Sequence, residues 1–283
     1  MRSRAGANPF SIGEPDETVD RIVRFLRTHS ERTGARHLVV GMSGGLDSSV
    51  TAALCSKALG GKRTLGFCLP EAETKTLGSI RDAEEVARKF GIRFRSLDIT
   101  GLVQGVASLL HPSKNRESAV PYGNMKARLR AMILYYYANT SKGLVVGTGD
   151  KSEIMLGYFT KYGDGACDIQ PIADLYKSAV RDLARHLGLP RRIFSKPSSP
   201  ELWPGQIAED ELGLPYNKLD LILWRLERWM RPQDISEELR IPLRTVEKIR
   251  KRWLQSEHKR RPPLSIKLGF RTAGQDLRIP YSL

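Results

Sequence analysis

The chain has 283 residues and a formal net charge of +15, enough length to bury a substantial core in one large or two small domains. Its apolar runs, such as LVVG, fall far short of the roughly 20 residues of a membrane span, and MRSRAGANPF lacks the apolar centre of a secretory signal. Three scattered cysteines, Cys55, Cys68 and Cys167, exclude a disulfide framework and a CxxC metal pair, so the expectation is a cytoplasmic enzyme with reduced thiols and no membrane partner.

A helical pattern from Glu17 to about Arg32, with Val19, Ile22, Val23 and Leu26 on one face, precedes a strand at about His37–Met42. A helix is expected over Asp47–Leu59, a strand over Thr64–Leu69, a charged helix over Ser79–Phe90 and a third strand near Arg93–Ile99. The polar stretch His111–Gly123 reads as a long active-site loop. A helix over Asn124–Asn139 then leads into the strand Leu144–Gly147. Strands alternating with crossover helices imply a doubly wound α/β fold, a parallel sheet with helices on both faces. Past Pro190 the pattern changes to prolines, tryptophans and helices. The expected division is an α/β domain over 1–190 and a helical extension over 191–283 that packs on it and contributes to the substrate site.

The first strand empties into Ser43-Gly44-Gly45-Leu46-Asp47-Ser48-Ser49. A strand that ends in glycines and hydroxyls and opens a helix offers consecutive N–H groups, close approach and the positive end of a helix dipole, which together make a phosphate cradle. A tight turn with an ordinary cap needs only one glycine and one capping residue. It is not a Walker A loop: Gly60-Gly61-Lys62-Arg63 has arginine where Ser or Thr must follow. Nor is it a Rossmann fingerprint, because Gly147-Thr148-Gly149 has no third glycine in place.

SGGLDSS resembles the pyrophosphatase loop of the ATP pyrophosphatases, which cleave ATP between the α and β phosphates. Within that superfamily, GTGDKSEIMLGYFTKYGDGACDIQPIADLYKSAVRDLARHLG (Gly147–Gly188), NMKARLR (Asn124–Arg130), LWPGQ (Leu202–Gln206) and SEHKRRPP (Ser256–Pro263) resemble NAD synthetase over nearly the whole chain. The resemblance implies an ammonia-dependent carbon–nitrogen ligase. It would adenylate deamido-NAD with ATP and Mg2+ and then admit ammonia, releasing AMP and pyrophosphate. The chemistry is sensible on its own terms: a carboxylate repels nucleophiles and oxide is a poor leaving group, so AMP is installed as a better one.

Carried over position by position, Gly41, Met42, Ser43, Gly44, Gly45, Leu46, Asp47 and Ser48 would hold the ATP phosphates, and Thr148, Lys177 and Ser199 would touch ATP. Asp47 and Glu153 would bind magnesium, a hard cation suited to two carboxylates that leave room for phosphate oxygens. Arg128, Lys161, Asp168, His258 and Lys259 would contact deamido-NAD, with Asp47, Lys177 and Asp168 nearest the chemistry. Each has a blander reading: Lys177 and Lys161 as solvated charges, Glu153 as a helix N-terminal acid, Asp168 as a turn former. Cys167, with no histidine nearby in sequence, reads as an incidental small residue. The family pattern usually carries an acid where this chain has Ala208, with Glu209, Asp210 and Glu211 following.

An apolar helix carrying Arg128 and Tyr135 to Tyr137 suits a subunit interface, and the resemblance implies a homodimer. Free ammonia is the expected nitrogen source, because the ATP domain begins within about 40 residues of the first residue and leaves no room for an amidase domain; a separate ammonia-supplying protein stays open. Two rival readings exist. A tRNA-modifying or GMP-forming ligase of the same superfamily is opposed by GTGDKSE and LWPGQ. A helix-turn-helix DNA reader is suggested by DISEELRIPLRTVEKIRKRW (Asp234–Trp253), where fourteen Lys/Arg stand against six Asp/Glu between Arg225 and Arg271. That segment runs directly into His258 and Lys259, which favours the dinucleotide over nucleic acid as its anionic partner.

Overall fold

The computed structural model describes residues 14–74, 76–111 and 119–277. Four parallel strands, β1 (His37–Gly41), β2 (Thr64–Cys68), β3 (Arg93–Ser96) and β4 (Gly143–Val146), lie in the order β3-β2-β1-β4. The chain therefore runs outward from β1 to β3 and then crosses to the other side of β1. Neighbouring crossovers leave β1 and β4 in opposite directions, opening a crevice at their C-terminal ends, where open α/β sheets hold ligands. An isolated parallel bridge from Val146 to Ile169 carries the pairing one position beyond β4.

Alternation along β1 divides the core. Leu38 and Val40 point to one face, where α1 (Pro15–Thr33), α2 (Leu46–Leu59), α3 (Leu77–Lys89) and α7 (Lys177–His186) pack. Val39 joins Phe67 and Val145 on the other face, under α4 (Thr100–Leu110) and α5 (Ala119–Ser141). Helix α2 is buried along most of its length: Ala52, Ala53, Leu54 and Cys55 are all fully buried, because it runs between the sheet and other helices, and Lys57 alone in it is exposed. Its N-terminus is thereby held rigidly at the end of β1.

The expected loop at His111–Gly123 ends earlier than the polar pattern suggests. Residues 119–123 already form the first turn of α5, while 112–118 lie outside the described residues. Gly123 is accepted inside that helix because Leu202 covers it; a Cβ there would lie 3.0 Å from the leucine side chain. Helix α4 was not anticipated. Its two glycines weaken the helical signal of TGLVQGVASLL, and its buried residue Val103 packs on the second face of the sheet.

Beyond β4 the chain forms α6 (Lys151–Leu156) and α7, then α8 (Arg191–Ser195), α9 (Ala208–Leu212), α10 (Tyr216–Leu226), α11 (Pro232–Leu239) and α12 (Leu243–Gln255). One apolar core runs from Val19 in α1 to Ile249 in α12, so the last helices share the interior that covers the sheet. A buried carboxylate orients them. Asp220 of α10 accepts from Ser152 Oγ at 2.5 Å, from the Ser178 amide at 2.9 Å and from Ser178 Oγ at 2.6 Å, tying α10 to α6 and α7. Its burial raises its pKa despite these bonds.

Candidate active site

The strand-to-helix turn after β1 is closed by its own hydroxyls. Ser43 Oγ accepts from the Gly45 amide at 3.2 Å and lies 3.1 Å from Ser48 Oγ, which donates to the Gly45 carbonyl at 3.2 Å. Gly44 takes φ +79°, and a Cβ on it would sit 2.1 Å from the Ser79 carbonyl of α3, so only glycine fits. The turn presents the first N–H groups of α2, which have no intrahelical acceptor, to the crevice.

The N-termini of α2, α6 and α7 converge there. Asp47 stands in the first turn of α2, Asp150 caps α6 by accepting from the Glu153 amide at 2.8 Å, and Lys177 begins α7 with its amide on Ser152 Oγ at 3.0 Å. The Lys177 ammonium lies 2.7 Å from Asp47, 2.7 Å from Asp150 and 2.8 Å from Glu153, with no solvent exposure. Tyr216 places its ring 5.0 Å from the same nitrogen. Burial alone would lower Lys177, but Asp150, Asp47 and Glu153 outweigh it and hold the ammonium well above its ordinary pKa. Burial pushes the Asp150 carboxyl up to about 7 against the pull of Lys177, and it also raises Glu153 well above the usual carboxylate range.

Ligand atoms of Asp47, Asp150 and Glu153 all lie within 4.8 Å of one another. Asp47 Oδ1 is buried without a hydrogen-bond partner, and Asp150 Oδ2 has none of hydrogen-bond geometry although the ammonium is close. Hard oxygen donors with unspent lone pairs suit a divalent cation.

Asp47 and Glu153 line a chamber of about 750 Å³, within the range of small-molecule sites. Gly41 to Ser43, Gly45 to Ser48, Thr148, Glu153 and Ser199 line it, and Lys259 lines it from the C-terminal segment. Gly44 and Lys177 stand behind this wall. Lys259 Nζ donates to the Gly157 and Phe159 carbonyls at 2.7 and 2.8 Å. Arg128, Lys161 and His258 do not line the chamber but form a chain beside it: Arg128 donates to the Lys161 carbonyl at 3.3 Å, and Lys161 Nζ to the His258 carbonyl at 2.9 Å. Asp168 lies apart from both groups, exposed at the end of the sheet. It accepts from the Val145 amide at 2.7 Å and from the Tyr135 hydroxyl at 3.3 Å. Burial pushes the adjacent Cys167 thiol up to about 11, which leaves it protonated and unreactive at neutral pH.

Sequence reasoning missed Asp150 and Tyr216. Asp150 was visible as a helix cap three residues before Glu153, a common structural signal that hides a second use of the carboxylate. Tyr216 gave no signal, since it meets Lys177 only through the packing of α10 on α7. The position where the family pattern has an acid, Ala208, is buried, while Glu209 accepts from the Tyr216 amide at 2.9 Å and Glu211 from Gln206 at 2.8 Å.

Removing the ammonium should leave three crowded carboxylates without compensation. Lys177→Met is expected to cost about 3–5 kcal/mol of stability at pH 8, with partial recovery on acidification. A carboxyl whose folded pKa lies above its unfolded value takes up its proton more readily when folded, and Asp150 loses the lowering pull of Lys177 in the variant, so that group adds stability as pH falls through its raised folded value towards the ordinary carboxylate range. Urea melts of the variant at pH 8 and pH 5.5 measure this; a variant equally stable to the parent at pH 8 would refute it.

Residues 18–263 match the family model for NAD synthase. The NH3-dependent NAD+ synthetase of Hyperthermus butylicus is 44% identical over 243 residues, covering 86% of this chain and 87% of that protein. The protein of the same description from Aeropyrum pernix is 45% identical over 250 residues, covering 88% and 87%. Among solved structures, NMN synthetase from Francisella tularensis superposes with a TM-score of 0.79 at 32% identity, covering 90% of this chain and all of that one. An NH3-dependent NAD synthetase from Campylobacter jejuni gives 0.75 at 25% identity with the same coverage. A parallel sheet carrying a glycine–serine phosphate loop, an acid cluster at its switch point and this extent of similarity lead to one conclusion: the chain belongs to the NAD synthase family.

Proposed function

We propose that the chain catalyses ATP-dependent amidation of the nicotinate carboxylate of deamido-NAD by free ammonia, yielding NAD, AMP and pyrophosphate. The supporting observation is one chamber lined by Ser43 and Gly45 to Ser48 of the loop, by Asp47 and Glu153 of the acid cluster, and by Lys259 of the C-terminal segment. In the first step a carboxylate oxygen attacks the α-phosphorus, the bond to the bridging oxygen breaks, and its electron pair leaves with pyrophosphate. In the second, ammonia attacks the carbonyl carbon, AMP departs with the C–O electron pair, and the nitrogen loses a proton.

The loop amides and the α2 dipole stabilise phosphate charge at the first step. Asp47 and Glu153, with Asp150 beside them, would hold Mg2+, which supplies Lewis-acid neutralisation of phosphate oxygens when bound. Thr148, Ser199 and Lys177 complete the ATP side, Lys177 by keeping the carboxylates at fixed separation. Arg128, Lys161, His258 and Lys259 orient the acceptor. Asp168 does not line the chamber, so the proton lost by the nitrogen passes to solvent or to a second ammonia.

No helix among the described residues is long and apolar enough to cross a membrane, and the reading is a cytoplasmic enzyme. The dimer reading rests on α4 and α5, where Leu109, Met132 and Tyr136 are each more than half exposed on one side of the sheet; such a patch calls for a partner surface. Sedimentation velocity at micromolar concentration should give a particle of twice the chain mass, and a single-chain mass would remove the dimer.

The defining assay mixes the protein with ATP, magnesium, ammonium and deamido-NAD. Equal amounts of NAD, AMP and pyrophosphate are expected, whereas ADP and phosphate would refute the bond cleavage. Nicotinate mononucleotide belongs in a parallel reaction, given the likeness to the Francisella NMN synthetase; faster amidation of the mononucleotide would transfer the assignment to it.

Asp47→Asn separates a turn from a cradle. Asparagine caps helices about as well as aspartate, but it cannot supply the charge that holds a cation against phosphates. Pyrophosphate release is expected to fall by roughly two to four orders of magnitude, about 3–5 kcal/mol of transition-state stabilisation. Added magnesium should restore part of the rate.

A further inference from the structure

The phosphate end of the chamber is short of positive charge. Asp47 and Glu153 line it and Asp150 lies behind them, while Lys177 is fully buried and engaged by all three carboxylates. Among the described lining residues the cations are Arg130, Lys196, Arg252 and Lys259. Three of these are tied to backbone carbonyls: Arg130 to Leu69 at 3.1 Å, Arg252 to Leu156 at 3.0 Å, and Lys259 to Gly157 and Phe159.

Lys196 is held differently. Its Nζ lies 3.1 Å from Asp82 Oδ2, and its side chain is one-third exposed, at 32%. Asp82 is next to the phosphate loop, since a Cβ on Gly44 would come within 3.2 Å of the Asp82 Cβ. The other oxygen of that carboxylate is already taken by Arg192 Nε at 2.6 Å. The Asp82 charge therefore stays compensated whether or not the lysine remains on it, so Lys196 can leave without stranding a buried anion. Lys196 also stands three residues before Ser199 on the segment that lines the same chamber.

We propose that Lys196 is a further catalytic residue: its ammonium transfers from Asp82 to a phosphate oxygen of the bound nucleotide and neutralises the charge that grows on pyrophosphate as the α-phosphorus–oxygen bond breaks. The proton stays on the lysine throughout, and the electron pair of the broken bond resides on the departing pyrophosphate. Asp82 and Arg192 act as a parking site that keeps the ammonium beside the loop in the empty enzyme. This rests on the reading that ATP is cleaved between its α and β phosphates.

The test uses inorganic pyrophosphate with magnesium as the probe, titrated calorimetrically into the full-length protein. Lys196→Met is expected to weaken binding about tenfold or more, the scale of one lost charge-assisted hydrogen bond. Lys196→Arg should retain most of the affinity. In turnover, Lys196→Met should lower kcat with little change in KM for deamido-NAD, a split that loss of structure would not produce. A measurement on the unaltered chain stands beside these: magnesium pyrophosphate should protect Lys196 from acetylation by acetic anhydride, read by peptide mass spectrometry. Unchanged pyrophosphate affinity in Lys196→Met, an arginine variant as weak as the methionine one, or unprotected labelling would each overturn the proposal. If the unaltered protein binds pyrophosphate through Lys196 but forms no NAD from deamido-NAD, the acceptor reading falls and the role of Lys196 stands.

Discussion

The Lys177 ammonium, enclosed by Asp47, Asp150 and Glu153, is the interaction on which the site depends. Three helices begin at this point, and each brings its own acid or base: α2 carries Asp47, α6 carries Asp150 and Glu153, and α7 carries Lys177. Without the ammonium, the carboxylates would repel one another across less than 5 Å in a medium where charge is poorly screened. With it, the cluster still has more acid than base. That excess is the property a cation-assisted phosphate site would need, because unspent carboxylate oxygens would receive a metal without the protein having to reorganise.

The apolar core explains why the cluster can be built to such tolerance. Helix α2 is buried along most of its length, and α7 packs against it with Ala179, Val180, Leu183 and Ala184 all nearly or wholly inaccessible. Interiors of this density resist small displacements. Asp220 then fixes α10 to Ser152 and Ser178, the residues that flank Glu153 and Lys177 in sequence. The last third of the chain thus determines the position of residues in the sheet layer, and a break in the packing of α10 would be felt at the phosphate loop.

Charge is distributed with a purpose across the chamber. Asp47 and Glu153 line it beside the loop and Lys259 lines it from the C-terminal segment, while Arg128 and Lys161 stand outside its wall. The C-terminal helices supply much of the basic excess of the chain. The pair α11 and α12 has the outline of a DNA-reading motif, yet its C-terminal continuation is turned inward: Arg260 donates to the Ile154 and Met155 carbonyls, and Lys259 to those of Gly157 and Phe159. The basic run that looked like a nucleic-acid surface is in that part a clamp on α6 and the turn after it.

The alternation of strands and helices up to β4 apart from α4, the buried face of α1 and the phosphate loop were legible in the sequence because they rest on local periodicity and on turn chemistry that glycine and hydroxyl residues satisfy. The pairing of Asp47 with Glu153 was legible only through likeness to a family, since these residues lie 106 positions apart in the chain, too far for any spacing rule, and the ion pair of Asp47 with Lys177, 130 positions away, was not legible at all. The tertiary structure alone decided that Lys177 is enclosed rather than solvated, that Asp150 serves as both cap and cluster member, and that Lys196 is parked on Asp82 beside the loop. Each of these depends on which helix ends converge, and that is set by the crossover at the sheet's switch point and the packing of α10 on α7. A sequence encodes the apolar faces that drive such packing, but the charges it brings together at the end are a consequence of three-dimensional closure.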